Sequence, residues 1–117
     1  MHTDITKASE IDGFLGACLV DGESGLMLAS EGGGTTDMEA ASALHTQVVK
    51  AKLRAIESLG LDDQIDDILI TLGKQIHLIR PLEANRSIFI YVALDKDKAN
   101  LGMARIQLKK LESTMKF

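Results

Sequence analysis

Few residues in this sequence have the types and spacing that enzymatic chemistry requires. His2, His45 and His77 lie far apart in the chain, and no pair has the H-x-x-x-H spacing that places two imidazoles on one helical face around a metal ion. None of the serines has the G-x-S-x-G context of a hydrolase nucleophile. The sequence therefore predicts no catalytic site, and it favours structural or partner-contacting roles for His45 and His77.

Two further patterns have the composition of a ligand site but not its spacing. Asp62, Asp63, Asp66 and Asp67 form an acidic cluster that lacks the spacing and central glycine of an EF-hand loop. Glycines 32–34 precede a predicted helix, as phosphate-binding loops do, yet neither G-x-x-x-x-G-K-[ST] nor G-x-G-x-x-G is present. A solvated turn and a strand-to-helix connector are preferred to a divalent-ion site and an anion site, so we expect no metal and no cofactor.

Charge and composition narrow the class of partner. The net charge is -4, aromatic residues make up 3% of the chain, and tryptophan is absent. Nucleic-acid binding needs clustered cations or stacking aromatic rings, and neither is evident. The single cysteine, Cys18, lies in an apolar run, which favours a buried thiol in a reducing compartment.

Length and hydropathy predict one domain and a cytoplasmic location. A chain of 117 residues has the usual size of a single domain, here residues 1–117 with a core of about 12–112. The first ten residues, MHTDITKASE, lack the apolar core of an export signal. No apolar run approaches the length of a membrane span, so we expect no membrane insertion.

The element that organises the chain is a predicted helix from Thr36 to Leu59. Thr36 and Glu39 fit the S/T-x-x-E capping box, and Gly60 is a suitable terminator. Two apolar stripes run side by side at helical spacing. They are Ala41, Leu44, Val48, Ala51, Ala55 and Leu59, and Met38, Val49, Leu53 and Ile56.

Together the two stripes span an arc of roughly 180° from helical-wheel geometry, whereas an ordinary surface helix needs a little over ~100°. One stripe can face the domain's own sheet. The other requires either another segment of this chain or a protein partner, most simply a second copy.

Five strands and a final helix complete the predicted order (α)ββαβββα. A short N-terminal helix is predicted within Asp4–Asp12, followed by strands at residues 14–20 and 26–30, and by strands at 66–72, 75–80 and 87–94 after the long helix. A last helix follows at about 99–114. Short turns between neighbouring strands require antiparallel pairing. The first and fifth strands are apolar on both faces and are therefore predicted to be central, with the long helix on one face of the sheet and the terminal helices on the other.

With this order in place, the chain resembles the roadblock / dynein light chain family in its short prokaryotic form. The likeness is carried by FLGACLVDGESGLMLAS (14–30), DDILITLGKQIHLIRPL (66–82) and SIFIYVALDKDKANLGMARIQLKKL (87–111). The Ala-Asn-Leu-Gly-x-Ala-Arg opening of the last helix, residues 99–105, is the most specific part. The family often has a longer helix before the first strand than the couple of turns available here.

The resemblance implies a profilin-like α/β/α sandwich of the α+β class, with a five-stranded antiparallel sheet in the order 2-1-5-4-3. It also implies a homodimer, or a heterodimer with a related chain, in which the third strands pair edge to edge and the long helices pack side by side. Carried over by position, the dimer interface comprises His45, Val49, Lys52, Leu53 and Ile56 on the helix and Ile68, Leu69, Ile70 and Thr71 on the edge strand.

The same resemblance implies a non-catalytic adaptor or regulator. Many members of the family bind small Ras-like GTPases as scaffolds or regulators, and some bacterial members stimulate GTP hydrolysis. The alternative is a small-ligand sensor or a purely structural dimerisation module, because similar scaffolds host ligand pockets. A sensor requires a concave apolar pocket of a few hundred Å3 within one subunit, of the kind that holds small molecules.

Overall fold

The five strands form one antiparallel sheet in the order β2-β1-β5-β4-β3 in the computed structural model, which describes residues 3–116. The strands are β1 (Phe14–Asp21), β2 (Leu26–Gly32), β3 (Ile68–Thr71), β4 (Gln75–Pro81) and β5 (Ile88–Asp95). The helices are a 3-10 turn at Thr6–Glu10, α1 (Met38–Ser58) and α2 (Leu101–Ser113). The predicted sheet order and topology are confirmed; His2 lies outside the described residues.

Burial explains why β1 and β5 occupy the centre of the sheet. Every residue of β5 from Ile88 to Leu94 is buried, as is β1 from Gly16 to Val20. On one face, α2 and the N-terminal turn pack over Leu19, Val92 and Leu94. The N-terminal turn is short, yet Ile5, Ala8 and Ile11 are all buried in that cluster.

The opposite face of the sheet is covered by α1, and the cover is partial. Cys18, Val20, Phe89 and Tyr91 form the core cluster on this side, and α1 packs mainly against β1 and β2. The residues of β3 that face the α1 side, Ile68 and Ile70, are only half-buried.

The two ends of α1 differ in how well the sequence predicts them. The predicted capping box is wrong: Asp37 is the N-cap, and its carboxylate accepts a hydrogen bond from the Ala40 N–H at 3.1 Å. An aspartate satisfies a free first-turn donor as well as a threonine does and adds a negative charge where the helix dipole favours one. Gly60 terminates the helix as predicted, at φ +67°.

The helix end is closed by two backbone bonds, from Gly60 N–H to Glu57 O and from Leu61 N–H to Ile56 O. This pairing is the Schellman arrangement, which needs a left-handed residue at the position of Gly60. Within residues 3–116, none of the helices is both long enough and apolar enough to cross a bilayer.

Candidate interaction surface

The second half of α1 is less buried than the first half. Near the middle of the helix, Lys50 Nζ donates a hydrogen bond to Glu23 O at 2.9 Å. From Ala51 to Gly60 no residue is buried. Leu53 is 49% exposed and Leu59 is 69% exposed, so these turns present large apolar side chains to solvent.

The edge strand β3 lies beside this uncovered part of α1. A hollow of about 280 Å3 separates them, and its walls include Lys52 and Ile56 from α1 with Ile68 from β3. Lys52, Ile56 and Ile68, which the resemblance assigns to one interface, therefore lie around the same hollow. Leu69 and Thr71, which alternate with Ile68 and Ile70 along β3, are exposed.

The predicted position of Val49 needs a correction. Its side chain is 7% exposed and belongs to the core cluster beneath α1. The sheet-facing side of the helix also carries Ser42 and Thr46, and both are fully buried. Their hydroxyls can be buried because each donates to the carbonyl oxygen four residues earlier, at 2.9 Å for Ser42 and 2.8 Å for Thr46. Val49 therefore stabilises the domain itself, and it is removed from the partner-facing set.

His45 faces the sheet near the N-terminal half of α1 and joins an aromatic cluster. Its ring stacks on Tyr91 with centroids 4.0 Å apart, and His77 packs edge-on against both rings at 5.8 and 5.3 Å. His45 Nδ1 lies 2.7 Å from Ala41 O, and His77 Nε2 lies 2.7 Å from Gln75 Oε1. Both partners are acceptors only, so each of these nitrogens carries the proton and donates.

Burial shifts the pKa values of His77, Tyr91 and Cys18 towards their neutral forms. Burial lowers the pKa of His77 below its ordinary value of 6.5, and the nearby His45 lowers it further. Burial raises the pKa of Tyr91 to about 12, with a smaller contribution from Cys18. Burial also raises the pKa of the Cys18 thiol, opposed by a hydrogen bond with Ser42, which agrees with the inert thiol that the sequence predicts.

A cavity of about 400 Å3 opens next to this cluster, between the first turns of α1 and the ends of β1, β4 and β5. Its walls are mostly apolar, and the polar residues that line it are Thr36, Asp37, His45, Gln75, His77 and Tyr91. Sequence reasoning missed this cavity, because its residues come from four separate segments. The available sequence signal is the run of small residues on α1, which leaves room above the sheet.

One residue of the acidic cluster after α1, Asp67, pairs with α2, whereas Asp62, Asp63 and Asp66 are exposed. Asp67 accepts two hydrogen bonds from Arg105 of α2, at 2.9 and 3.1 Å, and Arg80 of β4 binds Glu112 of α2 at 2.9 Å. These pairs fasten α2 to the strands at the β3 side of the sheet. Within residues 3–116, no group of three or more His, Cys, Asp or Glu side chains is arranged to hold a metal ion.

Solved structures share this architecture at low sequence identity. The chain superposes on a Roadblock/LC7 domain from Streptomyces avermitilis with a TM-score of 0.81 and 12% identity, covering 96% of this chain and 94% of that one. MglB from Myxococcus xanthus superposes with a TM-score of 0.76 and 19% identity, covering 92% of this chain and 82% of that one. The gliding protein MglB from Thermus thermophilus superposes with a TM-score of 0.75 and 14% identity, covering 91% of this chain and 78% of that one.

At the level of sequence alone, no protein-family profile and no curated protein matches the chain. The structural agreement nevertheless extends over most of each of these chains, and the strand order observed here is the one that the resemblance implies. The chain has the roadblock fold.

Proposed function

We propose that this protein is a homodimeric, non-catalytic adaptor that binds a small Ras-like GTPase in the cytoplasm, as a scaffold or as a GTPase-activating partner. The observation that carries the proposal is the uncovered apolar half of α1 beside the open edge of β3. Isolated helical turns are marginally stable in water, and an unpaired edge strand invites association. A twofold contact that pairs β3 with β3 and packs α1 against α1 would cover the exposed helical turns and pair the open edge strand.

The interface in this proposal comprises Lys52, Leu53 and Ile56 of α1 with Ile68 to Thr71 of β3, and His45 lies at its margin. Leu59 extends the same surface beyond the residues that the sequence predicts, because it is exposed on the same unsupported turns. A twofold axis doubles every contact, so a modest patch on each copy suffices for a stable pair.

The GTPase partner rests on the roadblock resemblance and on the likeness to MglB structures. Adaptors need surface rather than reactive groups, and the exposed apolar turns supply that surface. A dimer built in this way presents two copies of each remaining face, which suits a scaffold.

The experiment is a binding screen of the purified chain against small GTPases from the same genome. Each GTPase is loaded with GDP or with a non-hydrolysable GTP analogue, and complex formation is followed by thermal shift and pull-down. We expect at least one partner whose binding depends on the nucleotide. A complete screen without any nucleotide-dependent partner contradicts the GTPase assignment, whereas a monomeric chain at micromolar concentration contradicts the dimer.

The alternative of a small-ligand sensor is supported by a separate observation. The cavity beside His45 and His77 lies within one subunit and has the few hundred Å3 that the alternative requires. An adaptor that also binds a small molecule would account for both the exposed apolar turns of α1 and the cavity.

A further inference from the structure

We propose that the cavity under the N-terminal half of α1 is a binding site for a small uncharged molecule with an apolar body and one hydrogen-bond-donating head, of the phenol or indole class. This inference goes beyond the adaptor role and does not depend on it. It rests on the shape of the cavity, on the side chains at its polar end and on the charge at its rim.

The shape fits a small molecule better than it fits water. The volume of about 400 Å3 lies within the range of ligand pockets, roughly 300–1,000 Å3. Space exists there because Ala41 of α1 and Ala93 of β5 line the cavity where larger side chains would fill it, and Leu15 and Leu44 extend the apolar wall. Apolar walls with a few convergent polar groups are typical of small-molecule sites.

The polar end of the cavity accepts hydrogen bonds. His45 uses its Nδ1–H on Ala41 O, and His77 uses its Nε2–H on Gln75 Oε1. Each neutral imidazole then has a single remaining nitrogen, His45 Nε2 and His77 Nδ1, and each carries a lone pair. A ligand that donates an O–H or N–H can use these two acceptors, and the Gln75 amide N–H2 and the Tyr91 O–H, which also line the cavity, can donate to the oxygen of a phenol head.

Charge at the cavity excludes anions. Among the described residues neither lysine nor arginine lines it, and the carboxylate of Asp37 stands at its rim. Asp37 also occupies the Ala40 N–H of the first turn, one of the donors that an anion would use at a helix N-terminus. The titratable groups around the two imidazoles are Tyr91 of β5 and, beyond it, Cys18 of β1. Both stay neutral near pH 7, since burial raises the pKa of each.

The stacked rings add selectivity for flat molecules. His45 covers one face of Tyr91 at 4.0 Å, and His77 stands edge-on to both. Aromatic rings prefer offset-stacked or edge-to-face neighbours, so a planar ligand body extends an arrangement that already exists.

The test is an NMR titration of the full chain with phenol and indole at pH 7.5, with benzoate and toluene as the anionic and head-free comparisons. We expect saturable shifts at the imidazole resonances of His45 and His77 and at the methyl groups of Ala41 and Ala93. Benzoate and toluene should bind at least tenfold more weakly. Lowering the pH until His77 is protonated should weaken phenol binding, because protonation removes the lone pair of its Nδ1.

Two variants separate this site from non-specific binding. Ala93→Leu fills the cavity and should weaken phenol and indole binding at least tenfold, whereas Leu26→Ala, on the distant β2 edge, should leave it unchanged. If Ala93→Leu does not fold, Ala41→Leu takes its place. The comparison of phenol with benzoate on the wild-type chain tests the selectivity for an uncharged ligand without any variant. The absence of saturable shifts, equal binding of benzoate, or shifts that persist in the filled variant would overturn the proposal.

Discussion

Replacing Leu53 by glutamate tests the dimer most directly. The side chain lies on the part of α1 that no described element of its own chain covers, and it is 49% exposed in one copy. In the proposed pair the exposed half becomes buried against the partner. The variant replaces that apolar surface by a carboxylate, which must stay hydrated and is costly to desolvate.

The magnitude follows from burial. Burying a whole leucine side chain contributes roughly 1.5–3 kcal/mol, so the exposed half of Leu53 accounts for about 1 kcal/mol per copy and about 2 kcal/mol across the twofold axis. Placing two carboxylates near a desolvated contact costs at least about 2 kcal/mol more, even when both reach towards solvent. A total of about 4 kcal/mol corresponds to roughly a thousandfold weaker dimer.

The assay is light scattering and sedimentation of the wild type and Leu53→Glu from about 1 to 100 µM, roughly the span that a thousandfold shift of a sub-micromolar Kd would cross. The matched control is Leu26→Glu, the same change at a leucine that is 64% exposed on the opposite edge of the sheet. We expect a monomer for Leu53→Glu and a dimer for the control and the wild type. An unchanged mass for Leu53→Glu would refute the assignment of this face of α1 to the dimer interface. Equal disruption by Leu26→Glu would show that the loss of the dimer is not specific to α1.

Three further outcomes are expected. Arg54→Ala, on the exposed side of α1, should leave any GTPase stimulation intact in a single-turnover hydrolysis assay, because a surface arginine of this kind is not expected to act as an arginine finger; a large loss of stimulation would reverse that view. The pKa of His77 is lowered in the folded chain, so the unfolded chain takes up the proton first and the free energy of unfolding should fall as the pH drops below about 6.5. Denaturant titrations should show a shallower fall for His77→Gln. An identical pH dependence for the variant would contradict the lowered pKa of His77. Asp67→Asn weakens the two-bond pair with Arg105, which is partly exposed, and should cost about 1 kcal/mol, or roughly 4 °C in Tm by calorimetry; an unchanged Tm would show that the pair is energetically neutral.

The sheet could be predicted from the sequence because its signals are local and agree with one another. FLGACLV and SIFIYVAL are apolar on both faces, so both had to be central, and the turns at Gly22 and Gly73 fix antiparallel partners. The order 2-1-5-4-3 came from the resemblance rather than from these signals, since the pairing of β1 with β5 joins segments that lie far apart in the chain.

The face of α1 could not be predicted from apolar spacing alone. The hydroxyls of Ser42 and Thr46 donate to the helix backbone, which satisfies these donors inside the helix and allows both side chains to be buried. Apolar periodicity treats both residues as solvent-facing and so rotates the inferred contact side. This rotation placed Val49 with Leu53, although Val49 is buried in the core cluster over the sheet and Leu53 is about half exposed.

The two halves of α1 therefore carry different interactions on one rigid element. The first half packs through alanine and hydroxyl side chains, which bring the helix close to β1 and leave the cavity near His45. The second half carries Leu53 and Leu59, which are largely open to solvent. At 1.5 Å per residue, the 21 residues of the helix span about 31 Å, so a ligand in the cavity and a partner at Leu53 contact different turns of the helix and share only His45, at the margin of the proposed interface.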